Sequence, residues 1–578
     1  MASSKTTSQV TATWKDRLVK LQELQESVIN RPYSIVQRLR LALAYRSLGY
    51  PDLALGDAYK ALLLADEVAD EGEFHEQALR AAKEDITSDL HSQLASELPY
   101  IVPGVDHTTC TCTAESTGSD EGDEPMAVTI ARNCWSKTAY AIVVQSLIDC
   151  GCLRSAFDYI TRALQAFPSN RHFKALRETI LQKLRSHFSS KGDNFDAADV
   201  EEYPDMGLVR REKYPWNNYE PDRFSEESLR IMNEEMALVA PKLEIKKTTL
   251  LILSPDTAAS NKLPTSRYVD QLGIFAKEDI PPGEVILEEK SLLTAVARLR
   301  DSFCDACSIP LSKVDGSAES IIACDECEDA YFCSSECYEL AQDNYHPALC
   351  GVNIDQKVSA SESSDFLYSL LLIRALALAE VQNIHPLELK EVRFIWGDYH
   401  GLDLEEKWKN NGEKNTTDPF SGVPQTLPFS FKDNILTPLN ILERMDINIY
   451  EHEDRYDTWV FNTLYAKFRG TASARQGLDR RPEVSAVHPM WCMGNHSCDP
   501  NVAWEWEGSI RFWTREELVP WEGRDPDEKP GLRRGEELRS HYCDVSLPVK
   551  ERREWAVGAL GGDCMCPRCV WEAAQENT

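Results

Sequence analysis

The sequence predicts an α+β protein of several domains: a helical, repeat-like region, then a β-rich region interrupted by a cysteine-rich finger and closed by a second cysteine cluster. Three observations carry this reading. Two helical passages recur 102 residues apart, strand-like runs broken by Gly, Pro and Asp begin near residue 250, and most of the 18 cysteines fall into groups with metal-ligand spacing. At 578 residues the chain exceeds what one hydrophobic core can organise.

The helical region comes first. Residues 35 to 68 read as a helical hairpin, with Leu48-Gly49 at a helix end and Ala54, Ala58 and Ala61 on the closing helix. The passage "AIVVQSLIDCGCLRSAFDYITRALQAFP" repeats the pattern, Gly151 preceding Ala163 as Gly49 precedes Ala61. The offset is a multiple of about 34 residues, and the pattern resembles the tetratricopeptide repeat family; another helical bundle fits it too. Between the copies, residues 110 to 126 are too polar and acidic to fold, and Cys110 and Cys112 there read as free thiols. The helical region is expected over 1 to 187, ending in the polar stretch that starts near His187 or in the charged segment after it, with 188 to 250 as connecting segment.

Charge and hydropathy narrow the function classes. Sixty-two basic against 94 acidic residues leave a net charge of -32, which disfavours direct binding of a nucleic-acid backbone and favours a basic partner such as a lysine-rich protein tail. The apolar run from Phe366 is interrupted by Arg374 and reads as a buried core helix, not a membrane span. The N-terminal residues lack the apolar stretch of a secretory signal, so the expected address is nucleus or cytoplasm.

The β-rich region opens with "LGIFAKEDIPPGEVILEEK" (272 to 290), a strand, a Pro-Pro-Gly turn and a strand with Val285 and Leu287 on one face and Ile286 on the other. "NVAWEWEGSIRFWT" reads as a hairpin turning at Glu507-Gly508. Between these, residues 304 to 350 carry four ligand pairs: Cys304 with Cys307, Cys324 with Cys327, Cys333 with Cys337, and His346 with Cys350. Two-residue gaps form knuckles around one tetrahedral ion, three-residue gaps put a pair one helical turn apart, and eight ligands make two closed structural zinc sites. The order resembles the MYND zinc finger, a protein-binding module. That resemblance implies interleaving: one ion on Cys304, Cys307, Cys333 and Cys337, the other on Cys324, Cys327, His346 and Cys350. Near the C-terminus, Cys564, Cys566 and Cys569 make an incomplete tetrahedron, for which Cys498 is the candidate fourth ligand. Three zinc ions are therefore expected.

The Gly-Ile-Phe strand, "NHSCDPN" at 495 to 501, "GEELRSHYCD" at 535 to 544 and the final Cys-x-Cys-x-x-Cys stand in the order of the SET domain of protein lysine methyltransferases. With a MYND-like finger inserted, the chain resembles the SET-and-MYND subfamily over about 265 to 570. The resemblance implies SET segments at 251 to 300 and 351 to 550, with a cysteine-rich post-SET segment at 551 to 578. It also implies that Asn495 and His496 hold S-adenosylmethionine, that Gly273, Ile274 and Phe275 form the first cofactor loop, and that Asn462 is a further contact. Tyr542 matches the tyrosine at the methyl-transfer site. A sulfonium carries its own leaving group, so the reaction needs no nucleophilic side chain and no metal at carbon. The enzyme's task is to align a neutral lysine amine in a dry channel. Deprotonating a lysine of pKa about 10.4 at pH 7 costs roughly 4 to 5 kcal/mol, which desolvation and the adjacent cation reduce.

The sequence departs from the family in three places. Gly561-Gly562 replaces an aromatic expected to stack on adenine, leaving Leu560 or Trp571 for that role; residues 519 to 532 are an insertion; and the chain stops soon after Cys569. His488 and His541 have no site context and read as packed or solvated. The expected function is protein-lysine N-methylation of a basic substrate, histones among the candidates, with partners bound through the finger and the helical region. The alternative is a non-catalytic SET/MYND adaptor.

Overall fold

The computed structural model describes residues 13–70, 72–88, 90–94, 123–251, 253, 268–296, 302–314, 321–327, 329–352, 363–400, 403–412, 422–476 and 482–576. The expectations for Cys110 and Cys112 lie outside these residues. Contacts divide the chain into two units, Met1–Trp216 with Tyr399–Thr463, and Asn217–Asp398 with Leu464–Thr578. Among the described residues no helix is long and apolar enough to cross a membrane.

In the first unit the two expected helix pairs are present. Helix Ile35–Ser47 packs on Pro51–Asp70, and Ser136–Asp149 on Leu153–Ala166, with Pro51–Asp70 also packed on Ser136–Asp149. Gly49 and Gly151 stand at the two turns with φ of 77° and 82°, where a side chain would be strained. Ala54, Ala58, Ala61 and Ala163 are wholly buried, their small volume allowing the helices to close. The boundary expected near His187 falls inside a helix, Arg171–Lys191, which continues to a left-handed cap at Gly192.

Residues 399–463, expected as part of the second region, belong with these helices, and the reason is pairing. Strand Gln425–Phe429 runs antiparallel to Gly207–Arg210, and Arg38 on the second helix donates to Glu453 and to the Tyr450 carbonyl at 3.0 and 3.2 Å. The segment 188–250 is likewise not only a connection. It contains helix Glu226–Val239 and strand Leu243–Leu251, which pairs along its length with Tyr268–Ala276.

In the second unit, strands Val502–Glu507, Ser509–Thr514 and Val285–Glu289 form one antiparallel sheet, and Thr294–Val296, Pro482–Ala486 and Ser473–Gln476 another. The hairpin turns at Gly508, as expected. The alternation expected in 285 to 289 fails: Val285 is exposed while Ile286 and Leu287 are both buried. Leu287 pairs with Phe512 and Val285 with Trp513, so Ile286 is an extra residue in a bulge that turns it inward. Helix Ser363–Val381 is buried through Leu367, Leu371 and Leu376. Its Arg374 donates to the carbonyl and carboxylate of Asp305 and stacks 3.7 Å from the Tyr345 ring, which fastens the finger to this helix.

Candidate functional site

The "NHSC" segment folds as a turn and a two-residue strand. Trp491–Met493 is one turn of 3-10 helix, entered through Glu289, whose carboxylate accepts from Met490 N at 3.1 Å and Trp491 N at 2.9 Å. Burial pushes Glu289 up to about 7, against the two N–H bonds that favour its ionised form. Nothing in the sequence marks Glu289, which stands 201 residues from the first of these donors.

Asn495–His496 then pairs in parallel with Arg539–Ser540. Asn495 Nδ2 donates to Leu272 O at 3.0 Å and Glu537 Oε1 at 2.7 Å, so both amide hydrogens are used and Oδ1 is the atom left to a ligand. A Cβ on Gly273 would stand 2.6 Å from Glu537 Oε1 and 3.0 Å from Asn495 Nδ2, so glycine is what lets these side chains close. Gly273, Ile274 and Phe275 lie within strand Tyr268–Ala276 and not in a loop, because Leu243–Leu251 pairs with that whole strand.

His496 accepts from Tyr542 N at Nδ1, 3.0 Å, and its Nε2 lies 3.3 Å from Cys498 Sγ. With Nδ1 accepting, a neutral ring carries its hydrogen on Nε2, so it donates to the Cys498 sulfur and cannot itself ligate a metal. Burial, lowering His496 to about 4, keeps the ring neutral. Both ring nitrogens are therefore taken within the protein. Tyr542 donates its hydroxyl to Gly494 O at 2.9 Å, and burial raises the phenol well above its ordinary pKa.

The cysteines gather into three sets that could each hold an ion: Cys304, Cys307, Cys333 and Cys337; Cys324, Cys327, His346 and Cys350; and Cys498, Cys564, Cys566 and Cys569. Sulfurs 3.7 Å apart in Cys307 and Cys333, 3.9 Å in Cys324 and Cys350, and 3.8 Å in Cys498 and Cys564 match the edge of a tetrahedron with metal–sulfur bonds of about 2.3 Å. The donor chemistry and spacing fit zinc. Around the third set, buried Arg552 donates to Cys569 Sγ at 3.6 Å and pairs with Glu572, while Arg568 donates to Cys498 O at 2.9 Å. These cations offset the thiolate charge. Cys543 is a further buried thiol beside Cys498.

The sequence matches the SET domain family over residues 271–520. It is also 22% identical over 326 residues to a SET and MYND domain-containing protein of Dictyostelium discoideum. The chain contains a SET domain and is similar to proteins of the SET-and-MYND type. The shared stretch is 51% of this chain and 57% of the relative, so the chain spans little more than half of that protein's length. Tyr542 and the last three cysteines lie beyond the matched SET span.

Within the SET unit a cavity of about 640 Å³ opens beside Tyr542 and Gly494, walled by Trp491, Trp504, Trp506 and Trp555 and flanked by Arg469 and Arg475. His541 stacks on Trp504, its ring centroid 5.7 Å away, and His488 is buried edge-on to Trp506 at 5.6 Å. Gly561 ends helix Val549–Leu560 in the left-handed conformation, which accounts for glycine where the family has an aromatic. Leu560 packs on the third cysteine set, and Trp571 faces Trp521 at 6.0 Å. The insertion 519 to 532 is fastened to the motif itself, Trp521 donating to Asp499 at 2.9 Å and Arg524 pairing with the same carboxylate. Asn462 is not brought to this group: it is buried in the helical unit, donating to Asp52 at 2.8 Å and accepting from Asn434 at 2.9 Å.

Proposed function

We propose that the protein is an S-adenosylmethionine-dependent protein-lysine N-methyltransferase. The observation that carries the reading is the joint placement of Asn495 against Gly273 and of Tyr542 against Gly494 O, on either side of one short parallel pairing. Asn495, the backbone of His496 and Gly273 to Phe275 would hold the cofactor. An acceptor-only Asn495 Oδ1 suits the ammonium of an amino-acid ligand. When bound, S-adenosylmethionine supplies an electrophilic methyl group on a cationic sulfur.

The chain's own residues would do the rest. The tryptophan walls strip water from an entering lysine side chain, which lowers its pKa and favours the neutral amine. The Tyr542 hydroxyl, kept protonated and aimed by Gly494 O, orients that amine. The three cysteine sets would hold zinc in structural roles, tying the finger and the C-terminal segment in place. A net charge of -32 draws in lysine-rich proteins, histones among them, at long range. Further partners would dock on the finger and the helices.

The test is transfer of labelled methyl from S-adenosylmethionine to histones and cell-extract proteins by wild type and Tyr542→Phe. Label on lysine that falls at least about 100-fold in the variant is the expected result. No label, with no cofactor binding by calorimetry, would leave the adaptor reading.

A further inference from the structure

We infer that the cavity beside Tyr542 carries a subsite for a carboxylate, so that the accepted lysine is one with acidic neighbours. This rests on the methyltransferase reading above. The described residues lining the cavity include no Asp or Glu. The charged side chains of the lining form a cationic set, of which Arg469 is one.

Arg475 completes the set. Its guanidinium lies 5.3 Å from the Phe303 ring and 5.6 Å from Trp506, and Nη2 donates to Ser308 O at 3.2 Å. Glu483 and Glu507 act on it electrostatically, but no carboxylate of the described residues forms an ion pair with it, whereas Arg469 across the wall is paired with Asp365. Stacking between rings preorganises a guanidinium for a planar acceptor. A basic neighbour in the peptide would set cation against Arg475. An acidic neighbour would pair with it. The long-range pull of a net charge of -32 on basic proteins is a separate effect, screened beyond roughly 10 Å, while Arg475 acts at contact.

The carboxylate could belong to the peptide or to the cofactor's own amino-acid end, and the experiment separates them. Two peptides, alike except for Glu or Arg on either side of one lysine, are compared by anisotropy and by methyl transfer with the full chain. Wild type, Arg475→Gln and Arg475→Lys are used, and S-adenosylmethionine affinity is measured in parallel. The expected result is a preference of about tenfold for the acidic peptide, reduced to near unity by Arg475→Gln and partly kept by Arg475→Lys, with unchanged cofactor affinity. Equal binding, or preference for the basic peptide, overturns the inference. So does weaker cofactor binding in Arg475→Gln with the peptide ratio unmoved, which would assign the wall to the cofactor. An Arg475-dependent acidic preference in anisotropy, with neither transfer nor S-adenosylmethionine binding, would support the subsite and refute the methyltransferase reading.

Discussion

The two units differ in the charge they leave unpaired. In the helical unit, Arg38 meets Glu453 at 3.0 Å and Asp57 at 3.4 Å, Lys60 meets Glu453 at 2.8 Å, and Arg210 forks onto Glu212 with two bonds of 2.8 Å. Asp57, Glu453 and Asp457 lie close enough to bind an ion, but Arg38 and Lys60 already supply the positive charge there, with Asp57 Oδ2 and Glu453 Oε1 left without a hydrogen bond. In the SET unit the cavity lining carries Arg475 without an ion-paired carboxylate among the described residues, and the cysteine sets have four ligand atoms converging on one point. Charges that the chain pairs by itself hold a scaffold; those it leaves unpaired mark where ligands and ions can enter.

The largest effect should follow from removing what the SET unit lacks internally. Structural zinc contributes about 10–16 kcal/mol of apparent binding energy per site in small domains. We expect three zinc ions per chain by native mass spectrometry, and a strong chelator should abolish the calorimetric transition of the SET unit while leaving the helical circular dichroism of the first unit. Two or fewer ions, or a SET transition indifferent to chelation, would break the comparison.

Next in size is Arg38→Met, which leaves Asp57 without its ion pair and Glu453 with Lys60 alone, and should cost about 3–5 kcal/mol in urea unfolding. Arg475→Gln breaks no ion pair among the described residues and should cost under about 1 kcal/mol. Similar losses at the two positions would mean that Arg475 is scaffold after all.

The same division explains what could be read from sequence. Ligand pairs two or three residues apart record local geometry, so the finger was legible, and Cys498 could be assigned because three clustered thiolates demand a fourth. Motif order also drew attention to Gly273, Asn495 and Tyr542, and the structure sets Asn495 beside Gly273 and Tyr542 beside Gly494. Glu289 and Arg374 were not legible, because each acts through partners far along the chain; Glu537 stands inside the quoted "GEELRSHYCD" run, but its bond to Asn495 leaves no mark there. Asn462 was misplaced for the complementary reason: an asparagine in an apolar helix looks alike whether it faces a ligand or a buried Asp52. The strand at 285 to 289 misled because a bulge cancels the two-residue period.

The units should also respond to pH with opposite signs. Burial raises Asp457 to about 7 from 3.8, so the folded helical unit holds an extra proton between those values. That contribution is full below 3.8 and is lost as pH rises through about 7. Burial lowers His488 to about 3 from 6.5, so its contribution in the SET unit is full above 6.5 and is lost as pH falls toward 3. Glu289, raised to about 7, opposes His488 within that unit. Melting followed from pH 4 to 7 should show the helical transition weaken with rising pH, a slope flattened in Asp457→Asn. In the SET transition, His488→Gln should remove the upward component, on the order of 2 kcal/mol in each case.

The smallest effect compares one chemical change at two buried serines. Ser34 Oγ accepts from Gln37 N at 3.1 Å and donates to Asp85 at 2.8 Å, capping a helix and satisfying a buried carboxylate, so Ser34→Ala should cost about 1–2 kcal/mol. Ser540 is as deeply buried, yet its hydroxyl has no partner, and the link it makes to the motif, Ser497 N donating to its carbonyl at 2.8 Å, is backbone. Ser540→Ala removes an unsatisfied group and keeps that link, so stability should stay within about 0.5 kcal/mol or rise. A Ser540→Ala variant that melts earlier than wild type would make that hydroxyl part of the scaffold, and the distinction between paired and unpaired groups would fail where it is drawn most finely.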